Sequence, residues 1–258
     1  MCSIEGASAQ SLSDNGQGAA QLIETATISP TAGAFPEAQT VLPKAKLDVF
    51  QSVAISAQRL PVAAKWHDIR AQDHSGFFSD NCAEFGFDGC ETQFSQSLRD
   101  AVSQAEGRST LDQLTMVNAA VNGAITYRDD RTVWAQTDYW ATPSETAKLA
   151  WGDCEDYAIT KYWMLQELGF DESQLQVVVL QDTRRRLFHA VLVVHTDQGA
   201  YVLDNTTDRL ELDTAYSRYL PLMSFAGSKS YIHGFAGGSV SVANMPKGLS
   251  AISPGSSF

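Results

Sequence analysis

The order of helical and strand patterns along the chain is the feature that most constrains its fold. Apolar residues recur at helical spacing in residues 91–106 and 153–169. Residues 175–180, 188–195 and 200–204 instead form short runs rich in strand-forming residues, joined by turn sequences. Helices followed by closely connected strands are typical of an α+β domain, in which helices pack on an antiparallel sheet.

Two sequence signals mark helix starts before the strands. Thr110 followed by Gln113 predicts a capping box, in which each side chain bonds a free backbone N–H of the first turn. Thr142, Pro143 and Glu145 predict a second start, with a cap, a proline at the first helical position and a glutamate at the third. Both signals support the helical interpretation of the first half.

Composition divides the chain into three parts. Residues 1–45 are rich in Ala, Ser, Thr, Gln and Gly and show no sustained periodicity, which predicts a flexible leader. Residues 237–258 have the same character and predict a flexible tail. Residues 46–236 are left as a single folded domain, which is long enough to bury a core.

The charge of the chain restricts its partners. With 18 basic and 30 acidic residues the formal net charge is −12, which argues against nucleic acid as a partner. No run of 18 or more apolar residues occurs, so no transmembrane segment is predicted.

Four cysteines are present, at positions 2, 82, 90 and 154. Cys82 and Cys90 bracket a turn-rich loop with two glycines, a spacing that suits a small disulfide-closed loop better than a zinc site. A disulfide there would indicate an oxidising compartment. It would also leave Cys154 as the unpaired thiol of the folded region.

The sequence around Cys154 combines a helix start with three neighbouring carboxylates, Asp153, Glu155 and Asp156. A helix N-terminus presents free N–H groups and a positive dipole end, which stabilise the thiolate that a cysteine nucleophile needs. The carboxylates oppose that thiolate. Acidic residues are also common in the first turn of any helix, and a single cysteine is more often a small buried apolar residue. This pattern alone therefore leaves both a catalytic and a structural role open.

Two of the five histidines, His189 and His195, lie six residues apart on one predicted strand and so share a sheet face. A cysteine nucleophile needs a histidine as base, and that histidine needs a group that orients it. If His195 pairs with Ala200 across the turn, Val191 lies opposite Asp204, which then shares the face of His189. A slip of one residue would invert these faces.

The candidate catalytic residues are therefore Cys154, His189 and Asp204. Each has a plainer interpretation when taken alone, His189 as a hydrogen-bonded strand histidine and Asp204 as a turn residue after a strand. Chain order, the cysteine at a helix start and the strand parity favour the catalytic interpretation when the three are taken together.

Five segments carry a further signal: residues 118–127 (NAAVNGAITY), 140–145 (WATPSE), 152–158 (GDCEDYA), 189–192 (HAVL) and 201–205 (YVLDN). Together they resemble the bacterial transglutaminase-like cysteine peptidases, over roughly residues 90–210. The resemblance implies a papain/transglutaminase-like α+β fold. It also implies a Cys-His-Asp triad, carried here by Cys154, His189 and Asp204.

The same resemblance implies a cofactor and partners. Calcium (Ca2+) would be bound by the carboxylates beside the nucleophile, here Asp153, Glu155 and Asp156, and would offset the charge that disfavours the Cys154 thiolate. The location would be periplasmic. The substrate would be the N-terminal region of a large surface adhesin, whose cleavage releases biofilm, and an inner-membrane cyclic di-GMP receptor would sequester the protease.

We expect Cys154 to form a thioester with a peptide carbonyl, with its own N–H as one oxyanion donor. The sequence assigns no second donor, although Trp134, Gln136 and Trp140 lie in the right region. Two alternatives stay open. One is an acyl transferase of the same fold, in which an amine replaces water. The other is a calcium-binding interaction module in which Cys154 is structural.

Overall fold

Helices dominate the first half of the described chain and strands the second. The computed structural model describes residues 47–57, 60–235 and 252–257. The helices are α1 (Ala63–Ile69), α2 (Gln93–Ala105), α3 (Thr110–Ala124), α4 (Asp130–Val133), α5 (Pro143–Leu149) and α6 (Cys154–Glu167). The strands are β1 (Val53–Ser56), β2 (Thr126–Tyr127), β3 (Trp151–Gly152), β4 (Leu175–Asp182), β5 (Leu187–Thr196), β6 (Gly199–Leu203), β7 (Glu211–Leu212), β8 (Tyr219–Ala226) and β9 (Lys229–Gly234). Short 3₁₀ helices lie at Ser75–Phe78, Cys82–Phe85 and Asp213–Ala215.

Seven of these strands form one antiparallel sheet in the order β1-β9-β8-β4-β5-β6-β7. β2 and β3 form a separate parallel pair, in which Tyr127 lies opposite Gly152. α6 packs on β5 and also contacts α3 and the 3₁₀ helix Ser75–Phe78. The predicted α+β class, with helices packed on an antiparallel sheet, is confirmed.

α6 is the central helix of the fold. Residues from Cys154 to Leu165 are all buried, whereas the sequence pattern predicted only one buried stripe. The difference arises because α6 has the sheet on one side and other helices on the others, so that its polar face is covered too. α6 is therefore enclosed from Cys154 to Leu165.

β1 was not predicted, because the sequence patterns place strands only in the second half of the domain. It is a four-residue edge strand that pairs with β9, Val53 opposite Gly234. Val53 and Ile55 are about half exposed. A short exposed edge strand has little apolar alternation, and its position depends on the distant strand it joins.

The two predicted helix caps lie within one residue of the observed caps. At α5 the Thr142 side chain accepts the Glu145 N–H, and the Glu145 carboxylate accepts the Thr142 N–H at 2.8 Å, which confirms the capping box. At α3 the predicted cap Thr110 is wrong. Ser109 caps this helix by accepting the Asp112 N–H at 3.3 Å, since Ser109 is the last residue in extended conformation.

Cys82 and Cys90 form the predicted disulfide, with their Cα atoms 5.9 Å apart. Both residues are buried and belong to the apolar core below α6. Cys154 is the free cysteine of the described residues, and it is buried. The bond constrains the loop that precedes α2.

Residues 252–257, which fall within the predicted tail, lie on the folded body. The Phe188 N–H donates to the Ser256 carbonyl at 2.8 Å, and Ile252 is 4% exposed within the core. The predicted leader lies outside the described residues. The division at residues 45 and 236 therefore stays a prediction, although residues 252–257 are part of the packed structure.

Among the described residues, the longest helices are too short or too polar to cross a membrane.

Candidate active site

The start of α6 fixes Cys154 in place. Asp153 is the N-cap residue, and its N–H donates to Asp156 Oδ2 at 3.2 Å. The other Asp156 oxygen accepts the Ala141 N–H at 2.8 Å. Gly152 is required here, because a Cβ atom at this position would lie 2.7 Å from the Asp156 side chain. Cys154 therefore lies at the first turn of a helix whose entry is held from two directions.

The β5–β6 hairpin brings His189 and Asp204 together. The register is the predicted one, with His195 opposite Ala200 and Leu192 opposite Leu203. His189 Nε2 lies 3.0 Å from Asp204 Oδ1, and both residues are buried. The orienting contact follows from the strand parity that the sequence predicts.

Asp204 is held in its ionised form by its neighbours. Burial would raise the pKa of Asp204, but the His189 ring and hydrogen bonds together bring it below its ordinary value. The Tyr219 hydroxyl donates to Oδ2 at 2.6 Å, and the Thr206 N–H donates to Oδ1 at 2.9 Å. An ionised and fully bonded carboxylate gives the His189 ring one fixed orientation.

The Cys154 thiol is neutral in this environment. Burial raises its pKa well above the ordinary value of 9.0, and the Asp153 charge raises it further. The Ala190 N–H bonds the sulfur and opposes this shift. The thiol itself lies 3.4 Å from Glu155 Oε2. The conflict between thiolate and carboxylates that the sequence indicates is therefore present in the structure.

Two acidic residues that the sequence analysis missed join the carboxylates beside Cys154. Ligand atoms of Asp130, Asp138 and Glu155 lie within 4.8 Å of one another, and so do those of Asp153, Cys154 and Glu155. Asp130 begins α4, and Asp138 lies in the loop after it. No motif marks them in the sequence, since the loop that brings them here is irregular.

Four carboxylate oxygens of this cluster are buried without a hydrogen-bond partner: Asp130 Oδ1, Asp138 Oδ1, Asp153 Oδ1 and Glu155 Oε1. Unpartnered buried carboxylate oxygens are costly, and hard cations such as calcium bind several of them at once. Asp156 differs from the other two sequence candidates, because its two oxygens already accept backbone N–H groups. The cluster fits a divalent cation, with Asp130 and Asp138 better suited than Asp156.

The buried carboxylates of this cluster lie close to one another, and their pKa values are raised. Burial raises the pKa of Asp153 to about 7 and that of Asp130 to about 6. Burial and the Asp153 charge raise the pKa values of Glu155 and Asp156 well above their ordinary range. Like charges in one buried site cannot all ionise without a counter-charge. A cation would therefore displace protons from this site when it binds.

A sequence model of the bacterial transglutaminase-like cysteine proteinases matches residues 77–231, more than half of the 258 residues. The chain belongs to this family. The matched span contains Cys154, His189 and Asp204 as well as the carboxylate cluster. Family membership assigns the chain to the cysteine proteinases with a transglutaminase-like fold.

Solved structures of LapG from Legionella pneumophila are similar to this member of the family. EGTA-treated LapG is 24% identical with a TM-score of 0.49, and the match covers 55% of this chain and 78% of LapG. Calcium-bound LapG is 23% identical with a TM-score of 0.49, covering 58% of this chain and 87% of LapG. No curated protein matches the chain. The family assignment rests on the sequence model.

In the predicted region for a second oxyanion donor, the indole N–H groups of Trp134 and Trp140 are buried without a hydrogen-bond partner. Trp140 is 5% exposed and packs against Trp66, and Gln136 is exposed. Trp134 packs against Tyr139, with ring centroids 4.7 Å apart. Tyr127 also lies next to the α6 start of this proteinase, because the pairing of β2 with β3 places it opposite Gly152. No motif in the sequence marks this position, since only the β2–β3 pairing brings Tyr127 to the site.

Proposed function

We propose that this protein is a cysteine endopeptidase whose triad is Cys154, His189 and Asp204. The observation that carries the proposal is the 3.0 Å contact between His189 and Asp204, on the strand whose Ala190 N–H bonds Cys154 Sγ at the first turn of α6. A base oriented by a buried carboxylate, beside a cysteine at a helix N-terminus, is the arrangement that thiol acyl transfer requires.

The mechanism follows from these positions. Cys154 Sγ attacks a peptide carbonyl and forms a thioester, while His189 takes the thiol proton and passes it to the leaving amine. Water then hydrolyses the thioester with His189 again as base. The Cys154 N–H, free at the first turn of α6, stabilises the oxyanion. Asp204 keeps the imidazole in its productive orientation throughout.

We propose Asp130, Asp138, Asp153 and Glu155 as the calcium ligands, because each has a buried oxygen without a partner. A bound calcium ion would supply positive charge beside Cys154 and so favour its thiolate. Asp156 then acts as the structural partner of the Asp153 and Ala141 N–H groups.

Asp130→Asn tests this ligand set, with Asp129→Asn as the matched control. Both variants make the same chemical change, but the Asp129 side chain is exposed and caps α4. We expect calorimetry to show that Asp130→Asn weakens calcium binding at least tenfold, while Asp129→Asn stays within twofold of the wild type. Equal affinities for the two variants would remove Asp130 from the ligand set.

The substrate and setting that we propose are those of a LapG-type protease. The enzyme acts in the periplasm on the N-terminal region of a large surface adhesin, and an inner-membrane cyclic di-GMP receptor sequesters it. The resemblance of the active-site segments supports this role. The Cys82–Cys90 disulfide supports an oxidising compartment, and the net charge of −12 argues against nucleic acid.

The decisive experiment incubates this protein with the N-terminal region of a large surface adhesin of the same bacterium, in calcium or in EGTA. We expect two fragments by mass spectrometry in calcium, none in EGTA and none with Cys154→Ala. A crosslinked product would indicate an acyl transferase instead. A complex without any covalent change would indicate a calcium-binding interaction module.

A further inference from the structure

β6 covers only part of the β5 edge beside the catalytic histidine. β5 pairs with β4 from Leu187 to Val194, but with β6 only from Leu192 to Thr196. β6 ends at Leu203, so residues 187–191 have no strand from the hairpin on that side. An unpaired strand edge offers N–H and C=O groups to any extended peptide that can reach it.

Residues Ile252–Ser257 of this chain, here called the strap, occupy that edge. The Gly255 N–H donates to the Phe188 carbonyl at 2.7 Å, and the Phe188 N–H donates to the Ser256 carbonyl at 2.8 Å. Leu187 and Ser257 form an antiparallel bridge. The strap is therefore bound by main-chain hydrogen bonds, as a substrate peptide would be.

The bonded edge leads directly to the nucleophile. Alternate residues of a strand direct their N–H and C=O groups to the same side, so Phe188 and Ala190 face the same edge. The Ala190 N–H bonds Cys154 Sγ. Two residues along a strand span about 7 Å. A peptide that binds Phe188 therefore passes within about two residues of the reacting sulfur.

The strap also contacts residues on the side of the site opposite β5. A Cβ atom on Gly255 would lie 3.0 Å from the Tyr127 hydroxyl and 3.7 Å from Asp153 Oδ2. Ser253 Oγ donates to the Thr137 carbonyl at 3.1 Å, and Ile252 is 4% exposed. The strap thus bridges β5 and the loop after α4. Cys154, next to Asp153, is 2% exposed.

We propose that the strap is an autoinhibitory segment and that the Phe188 edge of β5 is the subsite where the backbone of a substrate peptide binds. The substrate part of this inference rests on the proposed function. A substrate in extended conformation must displace the strap before its carbonyl can reach Cys154. A Cβ atom at Gly255 would lie only 3.0 Å from the Tyr127 hydroxyl, so a larger residue here requires the strap or Tyr127 to shift.

Gly255→Val tests the strap, with Gly107→Val as the matched control. Both glycines have a positive φ, +81° and +68°, so valine strains either backbone. Only at Gly255 does the new side chain meet a neighbouring group, since nothing lies within 4 Å of a Cβ at Gly107. Gly107 also lies in the turn between α2 and α3, away from β5.

The measurement is the rate at which iodoacetamide alkylates Cys154 at one pH in calcium, followed by peptide mass spectrometry. We expect Gly255→Val to react at least tenfold faster than the wild type, and Gly107→Val to stay within threefold. A peptide of residues 252–257 added in trans should slow the Gly255→Val reaction again. Equal rates for wild type and Gly255→Val, or equal acceleration in both variants, would overturn the proposal.

Hydrogen exchange of the wild type provides a test that needs no variant. The Phe188 amide should be protected, since the strap accepts its hydrogen bond. Exchange of the Phe188 amide at the rate of an unstructured amide would overturn the proposal that the strap binds this edge. Alkylation and exchange report access to the site rather than catalysis. If both tests support the strap but the protein has no peptidase activity, the strap is retained and only the proposed function is wrong.

Discussion

Replacing His233 by glutamine tests how much stability the sheet draws from a buried, neutral histidine. His233 lies on β9 between two serines, with Nδ1 2.7 Å from Ser52 Oγ and Nε2 2.8 Å from Ser224 Oγ. Burial lowers its pKa from 6.5 to about 4, and the Asp48 charge opposes this only in part. The network ties β1 to the rest of the sheet through β9 and β8.

The sign of the pH dependence follows from the depressed pKa. Between pH 6.5 and 4 the unfolded chain protonates this histidine and the folded chain does not, so acidification favours unfolding. At pH 5 the solution is about 1.5 pH units below the unfolded-state pKa of 6.5, and each such unit corresponds to about 1.4 kcal/mol. His233 alone should therefore lower the free energy of unfolding by about 2 kcal/mol between pH 7.5 and pH 5.

The assay is urea unfolding followed by tryptophan fluorescence at pH 7.5 and 5.0, in EGTA so that bound cation does not contribute. Glutamine keeps a donor and an acceptor but does not titrate. The wild type should lose about 2 kcal/mol more than His233→Gln over this pH range. His67→Gln is the control, because His67 is exposed on α1 and should behave as the wild type does. Equal losses in the wild type and His233→Gln would refute the reasoning.

Two further predictions concern the proposed triad and the disulfide. Asp204→Asn should lower kcat/KM on the adhesin fragment by about 10³–10⁴, because the His189 ring loses its orienting charge. Tyr219→Phe, which removes one hydrogen bond to the same carboxylate, should lower kcat/KM only about tenfold. Steady-state kinetics in which Asp204→Asn kept a third of the wild-type kcat/KM would contradict the assignment of Asp204. Replacing Cys82 and Cys90 by alanine should lower the free energy of unfolding in urea by about 2–3 kcal/mol. An unchanged urea midpoint would show that this loop contributes no constraint.

Several features of the site could be predicted from the sequence because they depend on local geometry. A four-residue turn and strand parity are enough to place Asp204 on the face of His189, and the structure has that register. The spacing of Cys82 and Cys90 is within reach of one disulfide. The start of α6 follows from the cap and the apolar pattern, so the position of Cys154 at the first turn is a local property as well.

Other features depend on contacts between distant parts of the chain. Asp156 has the same local context as Asp153 and Glu155, but the Ala141 N–H occupies one of its oxygens. Asp130 and Asp138 reach the cluster through an irregular loop that no periodicity describes. These assignments depend on which oxygens the folded backbone satisfies, and a sequence pattern does not contain that information.

By itself, the sequence determined the α+β class, the helix start at Cys154, the β5–β6 register and the short disulfide loop. Each is set by turn length, side-chain period or cap chemistry within about 20 residues, where few alternatives exist. Tertiary structure alone decided the full carboxylate cluster, the pairing of β1 with β9 and the position of Ile252–Ser257 on β5. Those features bring together residues far apart in the chain. They depend on which strand edges and which carboxylate oxygens the rest of the folded structure leaves uncovered.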